Sequence, residues 1–170
     1  MAIAASRRNR LLAVAGAGAF MIAATLLGGK DGLEGRRYTP YRDVAGALTV
    51  CDGHTGADIV KGKTYIESDC DRLLNTDLKV IQQGVDSLVQ VPLHEYERAA
   101  LYSFAYNIGL TAFASSTLLK KLNAGDDVGA RKELHRWVFA GGKKRTGLIN
   151  RREIEFWLSG VKDGPSNQPF

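Results

Sequence analysis

The feature of this sequence that most constrains its fold is an uncharged run of 19 residues, 11–29. Its length approaches the roughly 20 apolar residues that a helix needs to cross a bilayer. Three arginines precede the run and the first acidic residue, Asp31, follows it, a pattern that predicts a transmembrane helix with a cytoplasmic N-terminus. We therefore expect a signal-anchor segment over 1–29, a globular domain over 30–160 and a flexible tail over 161–170.

The same run is weakly hydrophobic, because ten of its residues are alanine or glycine. Such a helix gains little from lipid contact compared with a leucine-rich one, so we expect its hold on the membrane to be marginal. A cleaved signal peptide is a second interpretation, since 13–15 and 17–19 have the Ala-x-Ala form of a cleavage site, although both lie early in the run. A permanent anchor is the third interpretation.

The stretch 34–56 follows the run and combines two carboxylates with a hydroxyl: Glu34, Asp43 nine positions later, and Thr49 six positions after that. Glu34 lies between a predicted helical turn and a glycine, whereas Asp43 lies in a turn-rich segment before a short predicted strand. Two carboxylates in unlike surroundings can divide acid and base duties, which is the minimum machinery for glycoside cleavage. The spacing alone also fits two solvated surface carboxylates.

The residues around this pair form a more specific pattern, which continues into the second half of the chain. The matching residues are Glu34, Pro40, Tyr41, Asp43, Gly46, Thr49, Gly53, His54, Thr55 and Gly56, and the later segments 101–109, 116–119, 122–126 and 147–155. In this order they closely resemble the phage-type lysozymes of glycoside hydrolase family 24, and especially the endolysins of lambdoid phages. The resemblance covers roughly residues 31 to 160.

This resemblance implies an α+β, lysozyme-like fold of two lobes, a small β-hairpin lobe and a mainly helical lobe, with the polysaccharide cleft between them. It implies an endolysin that hydrolyses the β-1,4 bond between N-acetylmuramic acid and N-acetylglucosamine in peptidoglycan and thereby lyses the host cell. Glu34 would be the general acid, Asp43 the carboxylate that orients water, and Thr49 a residue that helps to place this water. No cofactor is implied, and we expect a monomer whose partner is peptidoglycan.

The N-terminal run, in turn, resembles the signal-anchor-release segment of a class of phage endolysins. This implies a protein that is exported, tethered to the inner membrane through 11–29, and released to the periplasm when the membrane potential collapses. While the chain is tethered, a misplaced Glu34, five residues after Gly29, would keep it inactive. The run contains no cysteine, so we do not expect inhibition by thiol exchange within the anchor.

Four further residues are candidates for the site or its support. In an oxidising compartment, Cys51 and Cys70 can pair and close a loop of about 20 residues, a gain of about 3 kcal/mol, while two buried thiols are the alternative. His54 follows directly after the predicted strand and could be a general base. The resemblance instead implies a structural histidine that pairs with a carboxylate. Asn107 either contacts sugar or caps its helix. The histidines and cysteines lack the spacing of metal ligands, so no metal site is expected.

The formal net charge of the chain is +5, but three of these charges belong to the arginines before the anchor. The rest of the chain, 30–170, carries only +2, which argues against a nucleic-acid partner. One basic cluster remains, formed by Lys143, Lys144, Arg145, Arg151 and Arg152. It either attracts an anionic cell-wall polymer or forms a solvated basic face at a helix end.

Helical periodicity dominates the chain after residue 64. Thr64 and Glu67 have the capping-box form and predict the start of a long linking helix, which Gly84 is expected to weaken. Shorter helices are expected further on, over 116–122, 126–139 and 148–158.

Two other functions fit parts of the sequence. A lytic transglycosylase cleaves the same bond but leaves a 1,6-anhydro end and needs no carboxylate to activate water. A non-catalytic cell-wall-binding or membrane-tethered domain would require the catalytic pattern to be vestigial. The hydrolase is favoured because Asp43 and Thr49 are both present.

Overall fold

The computed structural model describes residues 3–43 and 46–161. Two short helices come first, α1 (Ala5–Leu12) and α2 (Ala19–Leu27), followed by three strands, β1 (Arg37–Arg42), β2 (Leu48–Cys51) and β3 (His54–Thr55). The remaining helices are α3 (Glu67–Leu88), α4 (Glu95–Ile108), α5 (Leu110–Ser115), α6 (Thr117–Asn123), α7 (Asp127–Glu133) and α8 (Thr146–Leu158). Between α7 and α8 lie a 3₁₀ turn, Leu134–Arg136, and two short strands, β4 (Phe139–Ala140) and β5 (Lys143–Lys144).

The small lobe is an antiparallel sheet in the order β1-β2-β3. Tyr41 pairs with Thr49 across β1 and β2, and the register shifts between Arg37 and Tyr41, as at a β-bulge. The apolar side of the sheet forms a core of its own against the start of α3. A disulfide joins Cys51 of β2 to Cys70 of α3 and ties the sheet to the linking helix.

The helical lobe is built around α4, most of whose side chains are buried. Helices α2, α3, α5 and α8 pack against it. Phe104 lies at the centre and meets Phe113 and Trp137 edge to face, at centroid distances of 6.3 and 5.5 Å. The predicted α+β class, with a small sheet lobe and a larger helical lobe, is confirmed.

The N-terminal segment differs from the continuous transmembrane helix that its sequence predicts. Gly16 and Gly18 have φ angles of +78° and +87°, and they divide the run into α1 and α2. Leu11, Ile22 and Leu26 are fully buried in the core of the helical lobe, so one side of the run is covered by protein, while Met21 is 47% exposed. Within 3–43 and 46–161, no helix is both long enough and apolar enough to span a membrane.

Two helix boundaries after the sheet also differ from the sequence predictions. Helix α3 begins at Glu67 rather than Thr64, and it continues past Gly84 to Leu88. A Cβ atom on Gly84 would lie 2.5 Å from the Leu110 side chain, so the absence of a side chain allows α5 to approach the helix closely. The helix expected over 126–139 ends at Glu133 and is followed by the 3₁₀ turn Leu134–Arg136.

The tail that the sequence predicts over 161–170 lies outside the described residues except for its first member. Val161 is buried against the helical lobe rather than exposed.

Candidate active site

The backbone of Glu34 is held by the last turn of α2. The amide of Leu33 donates to the carbonyl of Leu26 at 3.0 Å, and the amide of Glu34 donates to the carbonyl of Leu27 at 3.3 Å. These carbonyls belong to the end of a helix, where no helical amide is available to them. The position of Glu34 therefore depends directly on where α2 lies.

The side chain of Glu34 lies where the two lobes meet and is 16% exposed. Its Oε1 atom is 2.7 Å from Nη1 of Arg151 in α8. The contact is an ion pair without good hydrogen-bond alignment. On the other side, a Cβ atom on Gly53, in the turn between β2 and β3, would be 3.7 Å from Oε2. One carboxylate oxygen thus faces the helical lobe and the other faces the sheet.

Arg151 belongs to a buried ionic network beneath Glu34. Its Nε donates to Glu155 at 3.2 Å, and its Nη2 donates to the carbonyl of Ser103 at 3.2 Å. Glu155 also accepts from the Ser103 hydroxyl at 2.7 Å and from Arg152. Burial opposes the charge of Arg151, but the carboxylates of Glu34 and Glu155 outweigh this effect and hold its pKa above the ordinary value.

Asn107 is attached to the same network. Its side-chain oxygen accepts from Nη2 of Arg152, whose Nε donates to the carbonyl of Trp137 at 3.0 Å. The amide side chain of Asn107 is therefore bonded to α8, a contact that neither of the roles predicted from sequence includes.

Asp43 and Thr49 lie together at the open end of the β1–β2 pair. The Asp43 carboxylate accepts from the Ala47 amide at 2.8 Å, and the Thr49 hydroxyl donates to the Ala47 carbonyl at 3.1 Å. Because Tyr41 pairs with Thr49 across the two strands, the side chains of these two residues project from the same face of the sheet. The structure thus brings Asp43 and Thr49 together, while Glu34 is held separately by α2 and α8.

A second buried ion pair, which sequence reasoning missed, supports the segment just after Glu34. The side chains of Arg36 and Asp52 are each only 1% exposed, and Nη2 of Arg36 is 2.7 Å from Oδ2 of Asp52. Arg36 also pairs with Glu67 and Asp71 of α3. Burial opposes its charge, yet the hydrogen bonds that Arg36 donates to Asp52 and Asp71 keep its pKa above the ordinary value. The feature of the sequence that could have pointed to Arg36 is its position two residues after Glu34.

A groove of about 260 Å³ lies beside the turn that faces Glu34. Its lining residues are Gly53, Thr55, Asp77, Val80, Ile81 and Tyr106. The Tyr106 hydroxyl donates to the Asp52 carbonyl at 3.0 Å. Burial, together with the nearby carboxylates of Asp77 and Glu34, raises the pKa of Tyr106, so this phenol stays protonated.

His54 is buried between two carboxylates. Its Nδ1 is 2.8 Å from Asp77 of α3, and its Nε2 is 3.1 Å from Asp58. Burial opposes protonation of the ring, but the hydrogen bonds of Asp77 and Asp58 outweigh it and raise the pKa of His54. With both nitrogens engaged, the ring is not placed to act as a general base. In the part of the chain that the structure describes, no three His, Cys, Asp or Glu side chains are grouped as metal ligands.

The sequence that contains these site residues matches a known protein family. The sequence profile of the family described as "Phage lysozyme" matches residues 31–155. The chain belongs to the phage lysozyme family. This confirms the resemblance seen in the sequence, and this phage lysozyme can be compared with individual relatives.

Two curated relatives match over nearly their whole length. The SAR-endolysin of Bacteriophage PS119 is 51% identical over 158 residues, which are 91% of this phage lysozyme and 95% of that protein. The SAR-endolysin of Enterobacteria phage P21 is 48% identical over 153 residues, which are 88% of this chain and 93% of that protein. Among solved structures, the muramidase domain of SpmX from Asticaccaulis excentricus superimposes with a TM-score of 0.74 at 31% identity, covering 82% of this chain and 95% of that one.

The pairing of His54 with Asp77 makes the stability of this phage lysozyme depend on pH. Because the folded pKa of His54 is raised above its unfolded value of about 6.5, the pair's full contribution is present below that pH and is lost as pH rises through the folded pKa. We expect Asp77→Asn to lower the free energy of unfolding by about 1–2 kcal/mol at low pH and by less at high pH. Urea unfolding at pH 5.5 and pH 9 measures both values.

Asn75→Ala, at an exposed position of the same helix, is the matched control and should have the same small effect at both pH values. An equal loss of stability for Asp77→Asn at the two pH values would contradict a charged His54–Asp77 pair.

Proposed function

We propose that this phage lysozyme is an endolysin that hydrolyses the β-1,4 bond between N-acetylmuramic acid and N-acetylglucosamine in peptidoglycan, and that this cleavage lyses the host cell. The observation that carries the proposal is the placement of Glu34. A partly buried carboxylate is held at the junction of the lobes, beside a groove, with a buried arginine behind it. General acid catalysis requires such a fixed and partly desolvated carboxyl group.

The two oxygens of Glu34 have different surroundings, which suggests a division of labour. Arg151 engages Oε1 and so fixes the direction of the carboxyl group. Oε2 lies on the side of Gly53, next to the groove. Glu34 would act as the general acid, and Oε2 would be the oxygen that delivers the proton to the leaving glycosidic oxygen.

Asp43 and Thr49 would bind the water molecule that attacks the sugar. Asp43 would orient and activate it and support the positive charge that develops on the sugar, while Thr49 would help to place it. Their shared hydrogen bonds with the backbone of Ala47 support a joint role. If the reaction inverts the anomeric carbon, the carboxyl groups of Glu34 and Asp43 need a separation of about 6.5–9.5 Å in the substrate complex.

We infer that the run 11–29 is a releasable membrane anchor. Two relatives that carry the name SAR-endolysin are about half identical to this chain. The run is uncharged and rich in small residues, and its second half, α2, occupies the core in this structure. Because the last carbonyls of α2 hold Leu33 and Glu34, an α2 that lies in a bilayer would carry Glu34 away from Arg151 and Gly53, so the tethered chain would be inactive.

Contacts outside the core also support a folded-back N-terminus. The Glu95 carboxylate, at the first turn of α4, accepts from the amides of Gly16 and Gly18 at 2.9 and 3.2 Å. Arg7 and Arg10 donate to the carbonyl of Asp31, three residues before Glu34. After release, the segment would thus be fixed to the domain at both ends.

Replacement of the proposed acid tests the hydrolase. Glu34→Gln keeps the size of the side chain but removes the acid, and we expect it to lower muralytic activity by about 100-fold or more while the domain stays folded. Activity is the loss of turbidity of purified sacculi, and folding is followed by circular dichroism. Glu153→Gln, at a partly exposed position in α8 where the carboxylate meets His135, is the control and should retain activity.

The products of the wild-type enzyme test the reaction type. Mass spectrometry should show new ends that carry the mass of one added water molecule. Anhydro ends would show a transglycosylase instead, and a folded Glu34→Gln variant with near-normal activity would remove Glu34 from the mechanism.

Fractionation of expressing cells tests the anchor. Before an uncoupler is added, we expect the full-length chain in the membrane fraction. Collapse of the membrane potential should move the full-length chain into the soluble periplasm and start lysis. Glu34→Gln should move in the same way without lysis, which separates release from catalysis. A shortened soluble product that lyses cells without uncoupler would instead identify a cleaved signal peptide.

A further inference from the structure

The two-stranded β4–β5 hairpin is an exposed basic projection on the helical lobe. All side chains from 139 to 147 are exposed, and Phe139 is 55% exposed. The stretch contains three cations, Lys143, Lys144 and Arg145, and no acidic residue. Two strands of this length contribute little stability on their own, so the core gains almost nothing from the hairpin.

The structure separates this projection from the rest of the basic cluster. Arg151 and Arg152 are buried in the network beneath Glu34, so they add nothing to the surface charge. Arg145 has a structural contact, since its Nε donates to the Ala140 carbonyl at 3.2 Å. Lys144 lies over the Phe139 ring at 5.7 Å from its centroid, an exposed contact that leaves its ammonium group open to solvent. The two exposed lysines of β5 are therefore the side chains of the cluster best placed to meet a partner.

Both ends of the hairpin are connected to the residues around Glu34. On one side, Trp137 accepts a hydrogen bond from Arg152 through its carbonyl, two residues before β4. On the other side, α8 begins at Thr146, and Arg151 lies about 8 Å further along the helix axis. A peptide of three or four extended residues is about 10–13 Å long, which is of the same order as this stretch of α8.

We propose that the hairpin, through Lys143 and Lys144, binds the carboxylates of the peptide stems that the glycan strand carries. This inference rests on the proposed function, because it takes peptidoglycan as the substrate. Each stem bears free carboxylates, which complement the lysines in charge. The flexible side chain of lysine recognises a charge rather than one fixed geometry, which suits a substrate whose peptides are mobile. Such contacts favour capture of the substrate rather than the chemical step.

A pair of matched double variants tests the proposal. Lys143→Gln/Lys144→Gln removes the hairpin charges, and Lys120→Gln/Lys132→Gln removes two exposed lysines elsewhere on the helical lobe. The substrates are sacculi with intact stems and glycan chains from which an amidase has removed them. On intact sacculi at low salt, we expect the hairpin variant to raise KM about fivefold without a change in kcat. High salt should reduce this difference, and the stripped glycan should show none.

Co-sedimentation with sacculi in the Glu34→Gln background gives a readout that does not depend on cleavage. The hairpin variant should raise the Kd for intact sacculi about fivefold relative to the control variant. If the wild-type chain cleaves neither substrate, the proposed function fails while this binding difference still reports on the hairpin.

Equal values for the two double variants on intact sacculi would overturn the inference, as would an equal loss on intact and stripped glycan. A third outcome would also overturn it. If the hairpin variant binds sacculi normally but no longer binds vesicles of phosphatidylglycerol, the projection is a contact for anionic lipid rather than for stem peptides.

Discussion

The burial of α2 in the helical lobe is the interaction on which the rest of the site depends. It buries one side of this helix, and its last two carbonyls hold the amides of Leu33 and Glu34. Packing against α3 is close at Gly28, where a Cβ atom would lie 2.5 Å from the Leu74 side chain. A segment whose sequence also suits a bilayer thus serves as a structural element, and the position of the proposed acid follows from where that segment lies.

Two buried ion pairs complete the arrangement on either side of Glu34. Arg151 connects Glu34 to Glu155 within the helical lobe, and Arg36 connects the following segment to Asp52 and α3. Buried charges are costly unless they are paired and hydrogen-bonded, and loss of one partner is far more damaging than loss of both. These pairs therefore fix geometry at the junction of the lobes, where the groove begins, more than they add to stability.

The sequence predicted the two-lobed α+β class and the family, because the residues from Glu34 to Gly56 form a long and specific pattern. It did not predict the division of the run 11–29, since a run of small apolar residues is compatible with a lipid or a protein environment. The Arg36–Asp52 pair joins residues 16 apart through tertiary packing, which no local pattern shows. The β4–β5 hairpin was missed because a strand of two residues is too short to show the alternation of apolar and polar side chains that marks a strand in a sequence.

The central claim is that Glu34 is in place only when α2 is packed in the helical lobe. The most direct test compares the full chain free in solution with the same chain held in lipid vesicles, its domain facing outward, on soluble peptidoglycan fragments that reach both. This account predicts activity in solution and a loss of about 100-fold or more in the vesicles, comparable to removal of a general acid. Equal specific activity in the two states would contradict it.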